Sequence, residues 1–297
     1  MNWHETRQFI SPCFPEVIQT ELDMLLPGEL QEIRLRAGKP TVFITSTRTV
    51  SLPWRPEKQQ LEALVEGLSE HSLYARSDET GQGFLTLRGG HRLGLCGHIA
   101  QSDPRSVLSD IGSVCIRIAG QWPGAADALM PHVSTLTKGI LIIGPPGSGK
   151  TTILRDFARQ LCIRQPALQL SIVDERGELA ACVGGVPQLD IGNCSDVLDG
   201  LPKARAIPWL VRSMHPHWII TDELLGQSDA EAVLEAASCG IAVCASAHGG
   251  SLSDAAARPS LAGLMAQRAF DLYAVLSADD AGRTISLHDR TGNPLPL

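Results

Sequence analysis

The chain has 297 residues, which is enough for two domains of ordinary size, each with its own hydrophobic core. Its formal net charge of -7 and the lack of a basic run in the sequence exclude a general attraction to nucleic acid or to anionic lipid. Residues 1–10 lack the apolar stretch of a signal peptide and no segment has the length of a membrane span, so we expect a soluble, cytoplasmic protein.

The first 120 residues predict an α+β domain whose sheet is largely antiparallel. The expected elements, from helical or alternating spacing of apolar residues, are helices at 15–26 and 56–68 and strands at 32–36, 41–44, 49–52 and 114–118. Gly89-Gly90 lies between two further strand patterns, 84–88 and 91–96, which is a strong hairpin signal. Residues 121–124, Gln-Trp-Pro-Gly, are the best candidate for a linker.

Residues 125–297 predict a second domain in which short apolar strands alternate with helices. The expected strands are 140–143, 170–173, 218–221 and 241–245, and the expected helices include 152–162 and 203–215. This alternation is typical of an α/β fold with a parallel sheet that is covered on both faces. Ligands of such sheets bind at the carboxyl ends of the strands, where three of these runs deliver polar residues.

The strand at 140–143 leads directly into a loop that predicts a nucleotide site. The loop is Gly144-Pro145-Pro146-Gly147-Ser148-Gly149-Lys150-Thr151, which matches G-x-x-x-x-G-K-[ST]. Its glycines permit backbone angles that point successive N–H groups at one polyphosphate, whereas Pro145 and Pro146 have no N–H and would stiffen the entry. We expect Lys150 to neutralise the terminal phosphates of ATP, Thr151 to bind Mg²⁺ through its hydroxyl, and Thr152 to join the nucleotide contacts.

The strand at 218–221 ends in two acids. Asp222 fits the carboxylate that holds hydrated Mg²⁺, and Glu223 fits the base that orients the attacking water. Asp174 and Glu175 follow another strand in the same way, and they could help to polarise water or could merely cap the following turn. His248 follows a third strand, where it could donate a hydrogen bond to the terminal phosphate or could be an ordinary loop histidine.

Two arginines raise the question of whether one chain supplies every residue of the nucleotide site. Arg205 and Arg212 belong to the helix expected at 203–215, just before the strand that ends in the acids. A guanidinium supplied by a neighbouring subunit would stabilise charge on the transferring phosphoryl group. A surface salt bridge is the alternative, and the sequence does not choose between the two.

The eight cysteines are scattered along the chain, with no C-x-x-C pair. Most lie in apolar stretches such as Ile241-Ala242-Val243-Cys244. This pattern predicts reduced, buried thiols.

Two groups of motifs carry a family resemblance. In the second half they are Gly185-Val186-Pro187-Gln188-Leu189-Asp190, Asp196-Val197-Leu198-Asp199-Gly200 with Lys203, Arg212-Ser213-Met214, Ala247-His248-Gly249 and Arg258-Pro259. In the first half they are Glu32-Ile33-Arg34-Leu35-Arg36 with Gly38-Lys39-Pro40, Gly89-Gly90-His91-Arg92-Leu93-Gly94-Leu95-Cys96-Gly97 and Ile116-Arg117-Ile118. Together these motifs, which span almost the full length, resemble the stage III sporulation protein AA family of endospore-forming bacteria.

That family is similar to the hexameric ATPases of type II and type IV secretion and pilus systems. The resemblance implies a RecA-like P-loop ATPase domain with a parallel sheet at 125–297, preceded by a smaller α+β N-terminal domain at 1–120. It also implies a homo-hexamer that binds ATP between subunits. Such a ring would be peripheral to the membrane around the forespore, on the mother-cell side, and would power a channel of membrane-embedded sporulation proteins.

Individual residues carry over to the motifs of those ATPases. Asp174 and Glu175 fall on the aspartate box, His248 falls on the histidine box, and Arg212 falls on an arginine just upstream of the Walker B strand. Pilus motors often have Gly-Glu in Walker B, where this chain has Asp222 and Glu223, so the division of labour between Glu175 and Glu223 stays open.

Three functions fit these motifs. The first is an ATP-driven motor for assembly or transport at a membrane. The second is a RecA-like nucleic-acid motor or loader, against which the acidic balance and the lack of an aromatic-basic stripe both argue, so no nucleic-acid partner is expected. The third is a scaffold that binds ATP without hydrolysing it, against which the intact acids argue.

Overall fold

The computed structural model describes residues 3–70, 83–102, 105–279 and 282–296. The chain divides into two compact units, Met1–Gly120 and Gln121–Leu297. Within the described ranges, no helix is both long enough and apolar enough to cross a membrane.

The first unit contains an antiparallel sheet of six strands in the order β3-β2-β1-β6-β5-β4. Its strands are β1 Leu30–Arg36, β2 Thr41–Thr45, β3 Thr49–Leu52, β4 Phe84–Thr86, β5 Arg92–Ser102 and β6 Arg105–Arg117, and its helices are α1 Trp3–Ile10, α2 Glu16–Met24 and α3 Lys58–Leu68. The predicted hairpin is confirmed, because Phe84 pairs with Gly94 around a turn in which Gly89 has a φ of 79°. The sequence patterns missed α1.

The second unit contains a sheet of eight strands in the order β14-β13-β12-β7-β11-β10-β8-β9. These strands are β7 Gly139–Gly144, β8 Leu170–Asp174, β9 Ser195–Asp199, β10 Trp218–Glu223, β11 Ala242–His248, β12 Leu272–Asp279, β13 Gly282–Asp289 and β14 Pro294–Leu295. Six of them pair in parallel, but β13 pairs antiparallel with both β12 and β14, so the prediction of a parallel sheet is wrong at that edge. Only two residues separate β12 from β13, which is too short for the crossover that a parallel pair requires.

Helices pack on both faces of this sheet. They are α4 Lys150–Arg164, α5 Lys203–Ser213, α6 Gln227–Ser238, α7 Leu252–Ala256 and α8 Pro259–Ala266. Alternate residues of β7 point to opposite faces. Ile140 and Ile142 pack in the cluster that includes Phe157 of α4, whereas Leu141 and Ile143 pack in the cluster of α5, α6 and α8. This two-sided burial explains why β7 is apolar at every position rather than alternating.

The cysteines correct one expectation. Cys162 in α4 and Cys194 before β9 form a disulfide, with their Cα atoms 5.4 Å apart, so the prediction of reduced thiols is wrong for this pair. Cys96 and Cys239 are exposed, and only Cys182 and Cys244 are free and buried among the described thiols. Sequence spacing hid the pair because the two cysteines lie 32 residues apart and meet only through the packing of α4 beside β9.

Candidate nucleotide-binding site

The loop between β7 and α4 has the backbone shape that the sequence predicts. Gly147 and Gly149 have φ angles of 74° and 97°, in the left-handed region that side chains disfavour. Gly149 directly precedes the first residue of α4, whose first N–H groups have no acceptor within the helix. These donors and the positive end of the helix dipole make the second half of the loop an anion cradle.

The first half of the loop is closed by its own contacts. A Cβ atom built on Gly144 would lie 2.5 Å from Ser148 Oγ, so the close approach requires glycine at position 144. Ser148 Oγ donates to the carbonyl of Pro145 at 2.8 Å. Pro145 has no N–H to donate, but its carbonyl oxygen accepts this bond and so stabilises the conformation of the loop. Pro146 is exposed.

Lys150 lies over this loop. Its Nζ donates to the carbonyl oxygens of Gly144 at 2.7 Å and of Pro145 at 2.9 Å. Partial burial lowers the pKa of Lys150, the negative charge of Glu223 opposes this shift, and the positive charge of Arg258 adds to it. Glu223 and Arg258 are therefore close enough to Lys150 for their charges to act on it. Arg258 lies at the N-terminus of α8, and the sequence predicted no role for it beyond a family motif.

Thr151 and Thr152 occupy the first turn of α4, and both are half-buried. Their position directly after Lys150 keeps them at the carboxyl edge of the sheet. The structure thus brings the whole predicted loop and both threonines to the edge where β10 and β11 also end.

The two acids that end β10 differ in environment. The pairing of β10 with β11 shifts register between Thr221 and Glu223, so Asp222 is the extra residue of a bulge. Asp222 is buried and Glu223 is half-buried. Burial raises the pKa of Asp222 to about 6 against the opposing charge of Lys203, and the negative charges of Asp174 and Glu178 raise it further.

Lys203, the first residue of α5, links the two predicted acid motifs. Its Nζ lies 2.7 Å from Glu175 Oε2 and 2.7 Å from Asp222 Oδ1, and the side chain is 1% exposed. No sequence pattern predicted a role for Lys203. One signal was available, because a cation at the first position of a helix meets the unfavourable end of the helix dipole, and such broken local rules concentrate at functional sites.

Asp174 and Glu175 have separate tasks. Asp174 is fully buried and its two carboxylate oxygens accept four backbone N–H bonds of 2.8–3.2 Å, from residues 178–181. The sequence left two roles open for this pair, polarising water or capping the following turn, and these bonds show that Asp174 caps the turn. Burial favours a higher pKa for Glu175, but the hydrogen bond and charge of Lys203 outweigh it and lower that pKa.

The last two predicted residues lie at different distances from the loop. His248 ends β11 and pairs with Gly144, so it lies beside the start of the loop, half-buried. Arg212 is exposed in the last turn of α5, nine residues after Lys203 and hence about 13 Å away along the helix axis. The fold brings His248 to the loop of its own chain, whereas Arg212 lies at the opposite end of α5 from Lys203.

Comparison with known proteins gives a family and a fold. The family model described as "Sporulation stage III, protein AA" matches residues 6–295. Stage III sporulation protein AA of Bacillus subtilis (strain 168) is 40% identical over 273 residues, which cover 90% of this chain and 89% of that protein.

Two solved structures share the fold at low sequence identity. The Legionella pneumophila ATPase DotB has a TM-score of 0.58 at 16% identity and covers 87% of this chain and 76% of its own. The pilus retraction motor PilT, solved with bound ADP, has a TM-score of 0.61 at 16% identity and covers 92% of this chain and 81% of its own. The mixed α/β architecture is thus shared with the ATPase DotB and the pilus retraction motor PilT.

Proposed function

The chain belongs to the stage III sporulation protein AA family, and from this premise we propose that it is a Mg²⁺-dependent ATPase of the RecA-like P-loop type. The observation that carries the proposal is the convergence of Lys150, Asp222, Glu223 and His248 at one edge of the sheet, around a loop shaped as an anion cradle. The shared fold with DotB and PilT supports it.

The donor set fits a magnesium nucleotide. The N–H groups at the start of α4 and the ammonium of Lys150 would hold the phosphates, and the two carbonyl bonds of that ammonium would be exchanged for phosphate oxygens. Thr151 and Asp222 would hold Mg²⁺, whose preferred ligands are oxygens. Bound Mg²⁺ supplies positive charge for the phosphates. His248 would donate a hydrogen bond to the terminal phosphate.

Between the two candidate bases, the charges favour Glu223. Glu175 is tied to Lys203 and its pKa is lowered, which makes it a poor proton acceptor. Glu223 is half-buried and its charge acts on Lys150, so it faces the phosphate end of the site. We therefore assign Glu223 to orient the attacking water and Glu175 to hold Lys203.

The assembly follows from the position of Arg212. An exposed arginine far from the loop of its own chain is available to a neighbouring subunit, where its guanidinium would stabilise charge on the transferring phosphoryl group. We propose a homo-hexamer that contributes Arg212 across each boundary. By its family, the ring would act in the mother cell, peripheral to the membrane around the forespore, to power a channel of membrane-embedded sporulation proteins.

The replacement Lys150→Ala tests the ATPase. We expect it to abolish ATP binding, followed by titration calorimetry, and hydrolysis, followed by phosphate release, while the circular dichroism spectrum stays unchanged. Lys138→Ala is the matched control, because Lys138 lies in the same unit and its Nζ donates to the carbonyl of Arg268 instead of the loop. Wild-type hydrolysis by folded Lys150→Ala would contradict the proposed site.

A further inference from the structure

A cavity of about 400 Å³ lies beside the disulfide between Cys162 and Cys194. The six residues of its lining that matter here are Arg159, Cys162, Ile163, Asp190, Asn193 and Cys194. Its volume is within the range of about 300–1,000 Å³ that is usual for small-molecule sites. Cys162 lies about 18 Å along α4 from Lys150, so the cavity is separate from the candidate nucleotide site.

The disulfide presents its two sulfurs to this cavity unequally. Cys162 is buried, with 6% of its surface exposed, whereas Cys194 is half-buried. An attacking thiol must reach the sulfur with which it bonds, so Cys194 Sγ is the atom open to attack and Cys162 Sγ is the leaving atom. Ser195 Oγ lies 3.5 Å from Cys162 Sγ, and its hydroxyl can turn to donate to the thiolate that forms there.

The segment that carries Cys194 is held against α4 by contacts besides the disulfide. Gly192 has a φ of 84°, and a Cβ atom built on it would lie 2.5 Å from Cys162 Cβ and 2.8 Å from Cys162 Sγ, so the approach requires glycine. Ser195 Oγ donates to the carbonyl of Ile191 at 2.7 Å. These contacts do not need the S–S bond, so the two cysteines stay close when it opens and the bond can form again.

One cation and one anion flank the disulfide. Arg159 precedes Cys162 by three residues, on the same face of α4, and donates two bonds to Asp156 Oδ1 at 2.9 and 2.6 Å. A guanidinium has five N–H donors, so Arg159 can also bind an anion in the cavity. Asp190 is exposed and accepts the N–H of Gly192 at 3.1 Å, which leaves acceptor capacity on its carboxylate.

We propose that this cavity is a thiol–disulfide exchange site for a small amino-acid thiol, whose carboxylate binds Arg159 and whose ammonium binds Asp190. The thiolate of the ligand bonds to Cys194 Sγ, the bond between the two cysteines breaks, and its electron pair leaves on Cys162 Sγ. A second thiolate then attacks the ligand sulfur of this mixed disulfide and releases the Cys194 thiolate. Two small thiols are thus oxidised to one disulfide, the protein disulfide is reduced to two thiols, and the protons of the small thiols pass through water to the cysteines.

The experiment compares three thiols that differ only in the groups assigned to this recognition. They are L-cysteine, N-acetylcysteine, which lacks the ammonium, and cysteine ethyl ester, which lacks the carboxylate. The reduction rate of the full-length protein is measured by quenching with iodoacetamide and mass spectrometry of the two cysteines. Each rate is divided by the rate of the same thiol with bis(2-hydroxyethyl) disulfide, so that intrinsic reactivity cancels.

L-cysteine should react about 5-fold faster than either analogue on this scale, the effect of about 1 kcal/mol from one exposed ion pair. Arg159→Gln should remove the preference over the ethyl ester, and Asp190→Asn should remove the preference over N-acetylcysteine. Arg164→Gln is the matched control and should keep both preferences. Arg164 is an exposed arginine on α4, two residues after Cys162 and therefore on a different face of the helix.

Three outcomes overturn the inference. The first is an equal normalised rate for the three thiols with wild-type protein. The second is a preference that persists in Arg159→Gln and Asp190→Asn, or an Arg159→Gln protein that slows all three thiols equally, since both contradict recognition of the ligand charges. The third is air-oxidised protein in which both cysteines are alkylated before any thiol is added. No readout uses a nucleotide, so the result is independent of the proposed ATPase.

Discussion

Replacing Lys203 with methionine should destabilise the second unit more than the loss of any other lysine there whose contacts the structure describes. The ammonium lies 2.7 Å from each of two carboxylates, and the side chain is almost completely buried. Methionine keeps the length of the stem but removes the charge. Two carboxylates would then lose the ammonium that lies between them, and one of them, Asp222, cannot reach bulk water because its side chain is only 7% exposed.

The magnitude follows from burial. Removing one partner of a buried ion pair costs about 3–5 kcal/mol, because it leaves an uncompensated buried charge. Glu175 contributes little to this figure, since a third of its side chain is exposed and solvent screens it. The cost therefore rests on Asp222. We expect a loss of about 3 kcal/mol or more in the free energy of unfolding at neutral pH, against about 1 kcal/mol or less for Lys138→Met, which loses one hydrogen bond at an exposed site.

The loss should depend on pH in a defined direction. The folded-state pKa of Asp222, about 6, exceeds the unfolded value, so the folded protein binds more protons and this group makes stability fall as the pH rises through that window. Without Lys203 the folded pKa rises further, and the fall continues to higher pH. The deficit of Lys203→Met relative to wild type should therefore be small near pH 5 and grow toward pH 8.

Urea denaturation provides the assay, followed by tryptophan fluorescence in EDTA and without nucleotide, so that no ligand contributes. The double variant Lys203→Met/Asp222→Asn should recover most of the lost stability, because it removes both buried charges. A deficit below about 1 kcal/mol at pH 8, or one that does not change with pH, would refute a buried ion pair at this position.

Two further predictions concern catalysis. Glu223→Gln should bind MgATP but hydrolyse it at least about 100-fold more slowly, because a general base contributes a factor of that size. Glu175→Gln should keep most of the rate of hydrolysis. The reverse pattern in single-turnover kinetics would mean that Glu175, in the aspartate box, is the base. Arg212→Ala and Glu223→Gln, each nearly inactive alone, should regain activity when mixed, because a mixed ring pairs an intact Arg212 with an intact Glu223 at some boundaries. Mixed rings that form on sizing but show no recovery would exclude action of Arg212 across a boundary.

Local sequence patterns predicted several of the strands of the second unit. The expected strands at 140–143, 170–173 and 218–221 lie within β7, β8 and β10, because two-sided burial leaves a continuous apolar run that sequence shows directly. β9, with the sequence Ser-Asp-Val-Leu-Asp, was missed because an edge strand that is partly exposed has no such run. The antiparallel edge formed by β12 and β13 was missed as well, since the strand order of a sheet is a tertiary property.

The candidate site was predictable only as far as its parts are contiguous in sequence. The loop at residues 144–151 is contiguous, and its glycines mark the backbone angles that the structure adopts. The role of Lys203 was not predictable in the same way, because its two partners are distant from it in the sequence. Glu175 follows β8, before Lys203, and Asp222 lies near the end of β10, after it.

Four acids lie at the carboxyl ends of β8 and β10, and their environments divide the work among them. The two carboxylate oxygens of Asp174 accept hydrogen bonds from four backbone N–H groups, so Asp174 stabilises the turn that follows β8. Glu175 and Asp222 share one buried ammonium, which keeps two close carboxylates compatible. Glu223 is the acid whose charge falls on Lys150. Since a general base needs an oxygen that can accept a proton, this division supports the proposal that Glu223 serves the chemistry and that Glu175 supports Lys203. A change at Glu175 should therefore alter stability before it alters the rate.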